Sequence, residues 1–272
     1  MPYAKLNGAN LWYTDSLHGD ETILFVHGLL LSGQMYSDQV AALEPAFRCV
    51  TLDLRGQGKS RVEETGYNIE NLTADVVALI KQLNLAPCHF VGLSMGGFIG
   101  LRLGIDHPEL LRSLVLVDTT ADPEPASSGR KYKFMTWIVK WLGFSPVIGS
   151  IMKIMFGRSF LADPQKSELQ SLWKERILSN DRIGILKSAL GVIDRKGVAS
   201  EAAKIKCPCA VMVGEEDVAT PPQKSQRIHA AIDGSRMVTI AGAGHSAPIE
   251  QPDAVTQALQ DFLSSLDRHE QK

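Results

Sequence analysis

Hydrophobic and polar positions along the chain follow two alternating patterns. Short, continuous apolar runs are separated by longer stretches in which apolar residues recur every three or four positions, as in an amphipathic helix. Continuous apolar runs are typical of parallel strands that are buried on both faces. We predict such strands at 22–26, 47–52, 89–93, 114–117, 208–213 and 236–240. The alternation therefore predicts an α/β protein with a mostly parallel sheet flanked by helices.

Helical spacing is clearest in three stretches. Residues 69–83 have apolar side chains on one helical face, and Asn71 and Thr73 near their start are candidate N-caps. Residues 95–106 directly follow a turn of glycine and serine, and residues 252–266 form the last predicted helix.

Residues 122–203 interrupt the alternation of strands and helices. They open with a stretch rich in proline and serine and continue with helical patterns, and the next predicted strand begins only at 208. We therefore predict a helical cap at 122–203, inserted into a core formed by 1–121 and 204–272. Ligands of open α/β sheets bind beyond the carboxyl ends of the strands, where such an insertion lies.

The most apolar part of this insertion, residues 131–160, has three interpretations. Its side chains pack the cap helices onto the core, line an acyl pocket, or contact a lipid surface, as interfacial helices with interleaved lysines do. As candidates for the pocket we take Trp137, Trp141, Met152 and Met155. All three interpretations predict helices, so they stay open at this point.

Composition and charge narrow the class of protein. The contents of hydrophobic residues, 44%, and of charged residues, 21%, are those of an ordinary globular chain. The formal net charge of −2 argues against a nucleic-acid partner, which usually requires a basic surface. We expect no secretory signal and no membrane span. The four cysteines lack a CxxC spacing, so we expect buried free thiols and a cytoplasmic location.

The segment 91–97, VGLSMGG, has the form G-x-S-x-G between a predicted strand and a predicted helix. A tight turn there forces Ser94 into an unfavourable backbone conformation, and Gly92 and Gly96 let neighbouring segments pack closely. The hydroxyl then lies at a helix N-terminus, where free N–H groups favour negative charge. This pattern predicts that Ser94 is a nucleophile.

A serine nucleophile needs a base, which in most such sites is histidine. His245 lies in a glycine-rich loop between a predicted strand and the last helix, so it is our candidate. The other histidines lie near the chain ends, at element ends or on a helix face: His18, His27, His89, His107, His229 and His269.

The base in turn needs a carboxylate that orients it. Asp217 follows a predicted strand and is our first candidate, with Glu215 and Glu216 beside it as alternatives. Asp118, at the end of another strand, is a further alternative. With Asp217, the chain order is Ser, Asp, His.

A tetrahedral intermediate also requires N–H donors that hold its oxyanion. The N–H group of Met95, directly after the nucleophile, is one candidate. Leu29, after the strand end at His27 and Gly28, supplies the other candidate. His27 is then expected to hold this loop by hydrogen bonds, and a catalytic role is its alternative.

Several segments together carry a family resemblance. They are 26–28 (VHG), 53–60 (DLRGQGKS), 91–97 (VGLSMGG), 214–222 (GEEDVATPP) and 242–252 (GAGHSAPIEQP). In this order they resemble the α/β-hydrolase-fold serine hydrolases over nearly the whole chain. The resemblance implies that Ser94 is the nucleophile, Asp217 the acid and His245 the base, with no cofactor and no metal. It also implies that 53–60 is a structural loop in which carbonyls or carboxylates hold Arg55.

The resemblance also narrows the branch of the family. Haloalkane dehalogenases and epoxide hydrolases use an aspartate nucleophile, whereas this chain has Ser94. Cofactor-free haloperoxidase-like members often have an aromatic residue where this chain has Leu29. GLSMGG and EDVATPP most resemble small carboxylesterases and enol-lactonases. We therefore expect hydrolysis of a small-molecule ester, with a lactonase as the alternative and a ligand-binding receptor of the same fold as a third hypothesis.

Overall fold

A computed structural model describes residues 3–270 of the chain, with side chains described up to residue 266. The described strands form one sheet in the order β1-β2-β4-β3-β5-β6-β7-β8. They are β1 (Tyr3–Leu6), β2 (Ala9–Asp15), β3 (Thr22–Val26), β4 (Arg48–Leu52), β5 (Cys88–Leu93), β6 (Leu111–Val117), β7 (Cys209–Gly214) and β8 (Arg236–Ile240). Strands β3 to β8 pair in parallel, whereas β1 and β2 pair antiparallel.

The six strands predicted from apolar runs all form, within three residues of the predicted ends. The hairpin of β1 and β2 was not predicted, because its residues alternate between exposed and buried and give no continuous apolar run. Its local signal is the turn at Asn7 and Gly8, which have φ angles of 45° and 76°. An Asn-Gly pair is a strong short-range signal for a hairpin turn.

Helices cover both faces of the sheet. They are α1 (Ser37–Leu43), α2 (Ile69–Gln82), α3 (Met95–Asp106), α4 (Ala126–Leu142), α5 (Ile148–Met155), α6 (Arg158–Ala162), α7 (Ser167–Leu178), α8 (Arg182–Ile193), α9 (Pro222–Ala231), α10 (Ala247–Glu250) and α11 (Pro252–Glu270). Alternate residues of β3 point into two separate cores: Leu24 and Val26 pack with α2, α3 and α9, whereas Ile23 and Phe25 pack with α1 and α11. Among the described residues, no helix combines the length and apolar character of a membrane span.

The start of α2 differs from the prediction. Its N-cap is Asn68, whose side chain accepts a hydrogen bond from the N–H group of Asn71 at 2.8 Å. Asn71 is therefore a capped residue in the first turn, and Thr73 donates its hydroxyl to the carbonyl of Ile69. The cap precedes the first apolar residue of the helix because its side chain must reach a free N–H group in the first turn.

Helices α4 to α8 form the inserted segment between β6 and β7. Helix α8 packs directly on the core: a Cβ atom added at Gly184 would overlap the backbone of Gly56. On the same helix, the Nζ atom of Lys187 donates to the carbonyls of Glu63 and Glu64 at 2.8 Å each. Helix α4 packs along α8 and is thereby held over the carboxyl ends of the strands.

The loop at 53–60 holds the core side of this contact in place. The Nη2 atom of Arg55 donates to a carboxylate oxygen of Asp75 at 2.7 Å and to the carbonyl of Asn7 at 2.8 Å. A further donor of Arg55 reaches the carbonyl of Thr65 at 3.2 Å. The structural role that the resemblance implies for this loop is confirmed.

Candidate active site

Ser94 occupies the tight turn between β5 and α3, with φ 52° and ψ −107°. Added Cβ atoms would overlap the carbonyl of Gly96 if placed on Gly92, and the carbonyl of Val26 if placed on Gly96. Both positions therefore require glycine. The N–H group of Ser94 donates to the carbonyl of Val117 at 2.9 Å, one of the contacts that keep this strained backbone in place.

Ser94, His245 and Asp217 form one continuous chain of hydrogen bonds. The Nε2 atom of His245 lies 2.9 Å from the hydroxyl of Ser94, and its Nδ1 atom lies 2.9 Å from Oδ2 of Asp217. Asp217 can only accept, so the proton of the neutral ring is on Nδ1 and Nε2 faces Ser94 as an acceptor. The imidazole is thus held in the tautomer that can take the serine proton.

The carboxylate of Asp217 is itself fixed by backbone donors. Its Oδ1 atom accepts from the N–H groups of Ala219 at 2.8 Å and Thr220 at 2.9 Å, and its Oδ2 atom accepts from the hydroxyl of Thr220 at 2.7 Å. Asp217 and His245 are both buried, with 3% and 4% of their surfaces exposed. A buried carboxylate with this many donors is positioned without flexibility.

Electrostatics within the pair favour an imidazolium next to a carboxylate. Burial alone raises the pKa of Asp217, but the charge and hydrogen bond of His245 and the donors of Thr220 lower it below its ordinary value. Burial alone lowers the pKa of His245, but the charge and hydrogen bond of Asp217, together with the charges of Asp118 and Glu250, raise it above its ordinary value. His245 is therefore a stronger base than a free imidazole.

The alternative carboxylates, Asp118, Glu215 and Glu216, form hydrogen bonds with groups other than His245. Asp118 accepts from the N–H groups of Gly214 at 2.7 Å and Ala247 at 3.3 Å, and so connects the ends of β6 and β7 to α10. Burial, together with the charge of Asp217, raises the pKa of Asp118 well above its ordinary value. Glu215 accepts from the backbone of residue 242, and Glu216 accepts from the backbone and hydroxyl of residue 159.

His27 is buried beside the loop that was predicted to hold the oxyanion. Its Nδ1 atom donates to the carbonyl of Gly28 at 2.7 Å, and its Nε2 atom accepts from the N–H group of Leu54 at 2.9 Å. Burial lowers the pKa of His27, which agrees with a neutral ring that uses both nitrogens. His27 thus fixes the course of the loop at Gly28.

This loop passes directly beside the nucleophile. A Cβ atom added at Gly28 would come within 3.2 Å of the Cβ atom of Ser94. Leu29 follows and lines the same cavity as Ser94, while the N–H group of Leu30 donates to Gln57 at 2.8 Å. Met95 is the first residue of α3. The positions of Leu29 and Met95 are compatible with an oxyanion hole, which stays a prediction.

The remaining histidines lie outside this arrangement. His18 contacts the carbonyl of residue 16, His89 contacts the hydroxyl of residue 113, and His229 contacts the hydroxyl of residue 235. His107 lies 3.7 Å from the carboxylate of residue 109. His269 lies outside the residues whose side chains the structure describes.

A cavity of about 150 Å³, partly open to solvent, leads to the nucleophile. Core residues line one side of it, and the inserted helices line the other. The core side includes Leu29, Ser94, Phe98, Thr220 and His245, and the inserted side includes Tyr132, Met135, Val139, Met155 and Ile185. An apolar cavity with few polar groups is typical of a small-molecule site.

Of the four predicted pocket residues, the structure places only Met155 in the lining of this cavity, and its contact with substrate stays a prediction. Trp137 and Trp141 are exposed over 56% and 63% of their surfaces and lie outside the cavity lining. Met152 is buried in an apolar cluster that also contains Ile23 and Phe25 of β3, and it too lies outside the lining. On α4, 3.6 residues per turn direct Met135 and Val139 inward, so the two tryptophans point the opposite way.

An ion pair in the cavity wall had no signal in the sequence. Arg195 donates from Nη1 to Oε2 of Glu124 at 3.0 Å, and its guanidinium lies 4.3 Å from the ring centre of Phe98. Its Nε atom is buried and has no partner among the described residues. Both side chains are largely buried and line the cavity, so this wall offers a polar group to a bound molecule.

Glu250 was also missed, although it lies within the quoted segment 242–252. Its buried carboxylate accepts from the N–H groups of Gly157 at 2.8 Å, Gly244 at 3.0 Å and Ser246 at 3.0 Å. Burial raises its pKa above the ordinary value. Glu250 therefore joins the loop that carries His245 to the start of α6 in the inserted segment.

Comparisons with known proteins agree with this arrangement. The model of the alpha/beta hydrolase fold family matches residues 21–252. A thermophilic esterase from Thermogutta terrifontis has a TM-score of 0.90 and 27% sequence identity, over 98% of this chain and 99% of the esterase. An enol-lactonase from Burkholderia xenovorans LB400 has a TM-score of 0.89 and 28% identity, over 97% of this chain and 100% of the lactonase.

A comparison of sequences gives a relative with similar identity and coverage. The "Putative carbamate hydrolase RutD" of Pseudomonas syringae pv. syringae (strain B728a) is 26% identical over 252 residues, which cover 91% of this chain and 96% of that protein. The family match covers most of the chain, including the strand ends and turns that carry the site. The chain is therefore a member of the alpha/beta hydrolase fold family.

Proposed function

We propose that this protein hydrolyses carboxylic esters of small to medium acyl groups through an acyl-enzyme intermediate. The observation that carries the proposal is the hydrogen-bonded chain from Ser94 through His245 to Asp217, which opens into an apolar cavity. Nucleophile, base and orienting acid lie within hydrogen-bond reach of each other in the order that acyl transfer requires.

In the first half of the reaction, the hydroxyl oxygen of Ser94 attacks the ester carbonyl while Nε2 of His245 takes its proton. The negative charge of Asp217 stabilises the imidazolium that forms. The backbone N–H groups of Leu29 and Met95 hold the developing oxyanion. As the tetrahedral intermediate collapses, His245 returns the proton to the leaving alkoxide, and Ser94 keeps the acyl group.

In the second half, water replaces the alcohol. His245 takes a proton from the water, whose oxygen attacks the acyl carbonyl, and the second tetrahedral intermediate releases the carboxylic acid. Ser94 recovers its proton from the imidazolium. Atoms balance as one ester and one water giving one acid and one alcohol.

The cavity supports substrates that are mostly apolar. Met135, Val139, Met155 and Ile185 offer apolar surface from the inserted helices, and methionine side chains adapt to irregular shapes. A substrate with one polar group remote from the ester can reach the wall formed by Arg195.

A lactonase is the second candidate, because a solved enol-lactonase covers the whole of this fold at 28% identity. The chemistry is the same, but the leaving alcohol stays tethered to the acyl group. Base uptake measured on lactones and on linear esters of equal carbon number distinguishes the two. Faster turnover of the lactone would assign the natural substrate to that class.

The test of the proposal is hydrolysis of p-nitrophenyl esters from acetate to long acyl chains, with Ser94→Ala as control. We expect turnover that peaks at short or medium chains and falls by orders of magnitude in the variant. Turnover that Ser94→Ala retains would refute the mechanism. No turnover on esters or lactones, with strong thermal stabilisation by a ligand, would favour the receptor hypothesis instead.

A cytoplasmic location and the absence of a nucleic-acid partner are part of the same proposal. Free thiols at Cys49, Cys88, Cys207 and Cys209 support a reducing compartment. The net charge of −2 supports the second point.

A further inference from the structure

Helix α4 has two opposite apolar faces. The inner face, with Met135 and Val139, lines the cavity. The outer face carries large aromatic side chains that are mostly exposed: Phe134 by 62%, Trp137 by 56% and Trp141 by 63%. Contiguous exposed apolar side chains of this size mark an interaction surface.

The outer face is an ordered aromatic surface. Phe134, Trp137 and Trp141 are spaced by three and four residues, so they form one stripe along the helix. The rings of Phe134 and Trp137 are stacked, with centroids 6.1 Å apart and planes 9° apart. The stripe covers about two helical turns, or roughly 10 Å.

Basic side chains border this stripe. Arg130, Lys131, Lys133 and Lys140 are all exposed, and helix α4 contains no aspartate or glutamate. Lys133 forms an ion pair with Asp194 at 2.8 Å, and the Nζ atom of Lys140 lies 5.3 Å from the ring centre of Trp141. The helix thus combines exposed aromatic rings with an excess of positive charge.

The inserted segment as a whole also carries an excess of positive charge, whereas the rest of the chain is acidic. Residues 122–203 contain 13 lysines and arginines against 8 aspartates and glutamates, a formal charge of +5. The other residues contain 15 lysines and arginines against 22 aspartates and glutamates, a formal charge of −7. The inserted segment is therefore the part of this acidic chain that an anionic surface attracts, and the core is the part that it repels.

We propose that the outer face of α4 binds an anionic lipid–water interface. Tryptophan rings favour the headgroup region, and lysines next to them attract anionic headgroups. A helix with aromatic and apolar side chains on one face and bordering lysines lies in the plane of such an interface. A second copy of this chain fits less well, because a two-fold contact would place the same basic residues against each other.

This surface gives α4 a second role that rests on the proposed hydrolase function. One helix then contacts lipid with its outer face and substrate with its inner face. Because a helix with its side chains is about 10–12 Å wide, the cavity lies within that distance of the bound interface. Esters that partition into lipid would reach Ser94 without crossing bulk water.

The test is flotation of the full-length Ser94→Ala protein with vesicles, so that hydrolysis does not interfere. We expect it to float with equal amounts of phosphatidylcholine and phosphatidylglycerol, less at high salt, and weakly with phosphatidylcholine alone. The added changes Trp137→Gln and Trp141→Gln should lower the partition coefficient about tenfold or more. A matched control with Leu17→Gln and Leu172→Gln removes exposed apolar side chains elsewhere and should float unchanged.

Several outcomes would overturn the proposal. They are an absence of flotation, equal flotation after both tryptophans are replaced, and an equal loss in the control variant. A dimer in sedimentation velocity that becomes a monomer on Trp137→Gln and Trp141→Gln would assign the surface to a second copy. Hydrolysis of a soluble acetate ester by the tryptophan variant with Ser94 intact shows that it is folded, and failure of the hydrolase proposal leaves the flotation result valid.

Discussion

Replacing Asp217 or Asp118 by asparagine distinguishes the roles of these two buried aspartates. Asp217→Asn keeps the size of the side chain but puts an amide NH₂ in place of one oxygen. One oxygen of Asp217 accepts from two backbone N–H groups, so we expect the amide oxygen to stay there and the NH₂ to face Nδ1 of His245. The ring must then accept at Nδ1 and carry its proton on Nε2, where it can no longer accept the proton of Ser94.

The expected magnitude for Asp217→Asn is a fall in kcat of about 10⁴, as for the wrong imidazole tautomer in serine proteases. This corresponds to about 5.4 kcal/mol of lost transition-state stabilisation. Asp118→Asn should act differently, since Asp118 accepts from Gly214 and Ala247 and an amide can satisfy only one of them. We expect a loss of about 1–3 kcal/mol of unfolding free energy and a change in kcat within about tenfold.

The assay is kcat and KM on p-nitrophenyl butyrate for both variants, with thermal unfolding of each. For Asp217→Asn we expect a large loss of kcat with unchanged thermal unfolding. For Asp118→Asn we expect a loss of stability with little change in kcat. Near-full rate in Asp217→Asn together with a collapse of kcat in a folded Asp118→Asn protein would refute the assignment of the acid.

Three further predictions concern the base, its loop and the cavity. Because Asp217, with smaller contributions from Asp118 and Glu250, raises the pKa of His245 above 6.5 despite its burial, kcat/KM should fall as pH falls, with an inflection above 6.5; an inflection at or below that value would contradict these electrostatics. Glu250→Gln replaces one carboxylate oxygen by an NH₂ group, so at least one of the three backbone N–H groups loses its acceptor; the unfolding free energy, measured by denaturant unfolding, should fall by about 1–3 kcal/mol, and unchanged stability would show that these contacts are weak. Met135→Trp narrows the cavity and should lower kcat/KM about tenfold or more for long acyl chains, as expected if two methylenes at about 0.8 kcal/mol each are excluded. Trp137→Met on the opposite face of the same helix is its control, and an equal effect in both would mean that the variants perturb the helix rather than the cavity.

The elements that the sequence predicts well are those with a local pattern. Strands β3 to β7 are continuous apolar runs because they are buried on both faces, so they could be recognised, and β8 at the sheet edge is partly exposed but keeps enough apolar residues to be predicted. Ser94, His245 and Asp217 follow such strands, and the carboxyl ends of parallel strands meet at one edge of the sheet. Their approach to one another was therefore expected from the order of the elements.

Features that depend on long-range packing could not be predicted in this way. Trp137 and Trp141 have the apolar character of pocket residues, but which face of α4 meets the core is decided by its packing along α8. Glu124 and Arg195 are 71 residues apart and meet only because both ends of the inserted segment return to the same wall. A spacing of this kind leaves no pattern along the chain.

At Ser94, the backbone conformation that the proposed activity requires also lowers the stability of the fold. A non-glycine residue with φ 52° and ψ −107° carries strain of about 1–3 kcal/mol, whereas glycine adopts positive φ angles readily. Directed evolution for heat resistance alone would therefore reward Ser94→Gly, which relaxes the turn and removes the nucleophile in one step. Any programme to stabilise this protein needs a turnover screen in every round, since this strained residue is the one that the proposed chemistry requires.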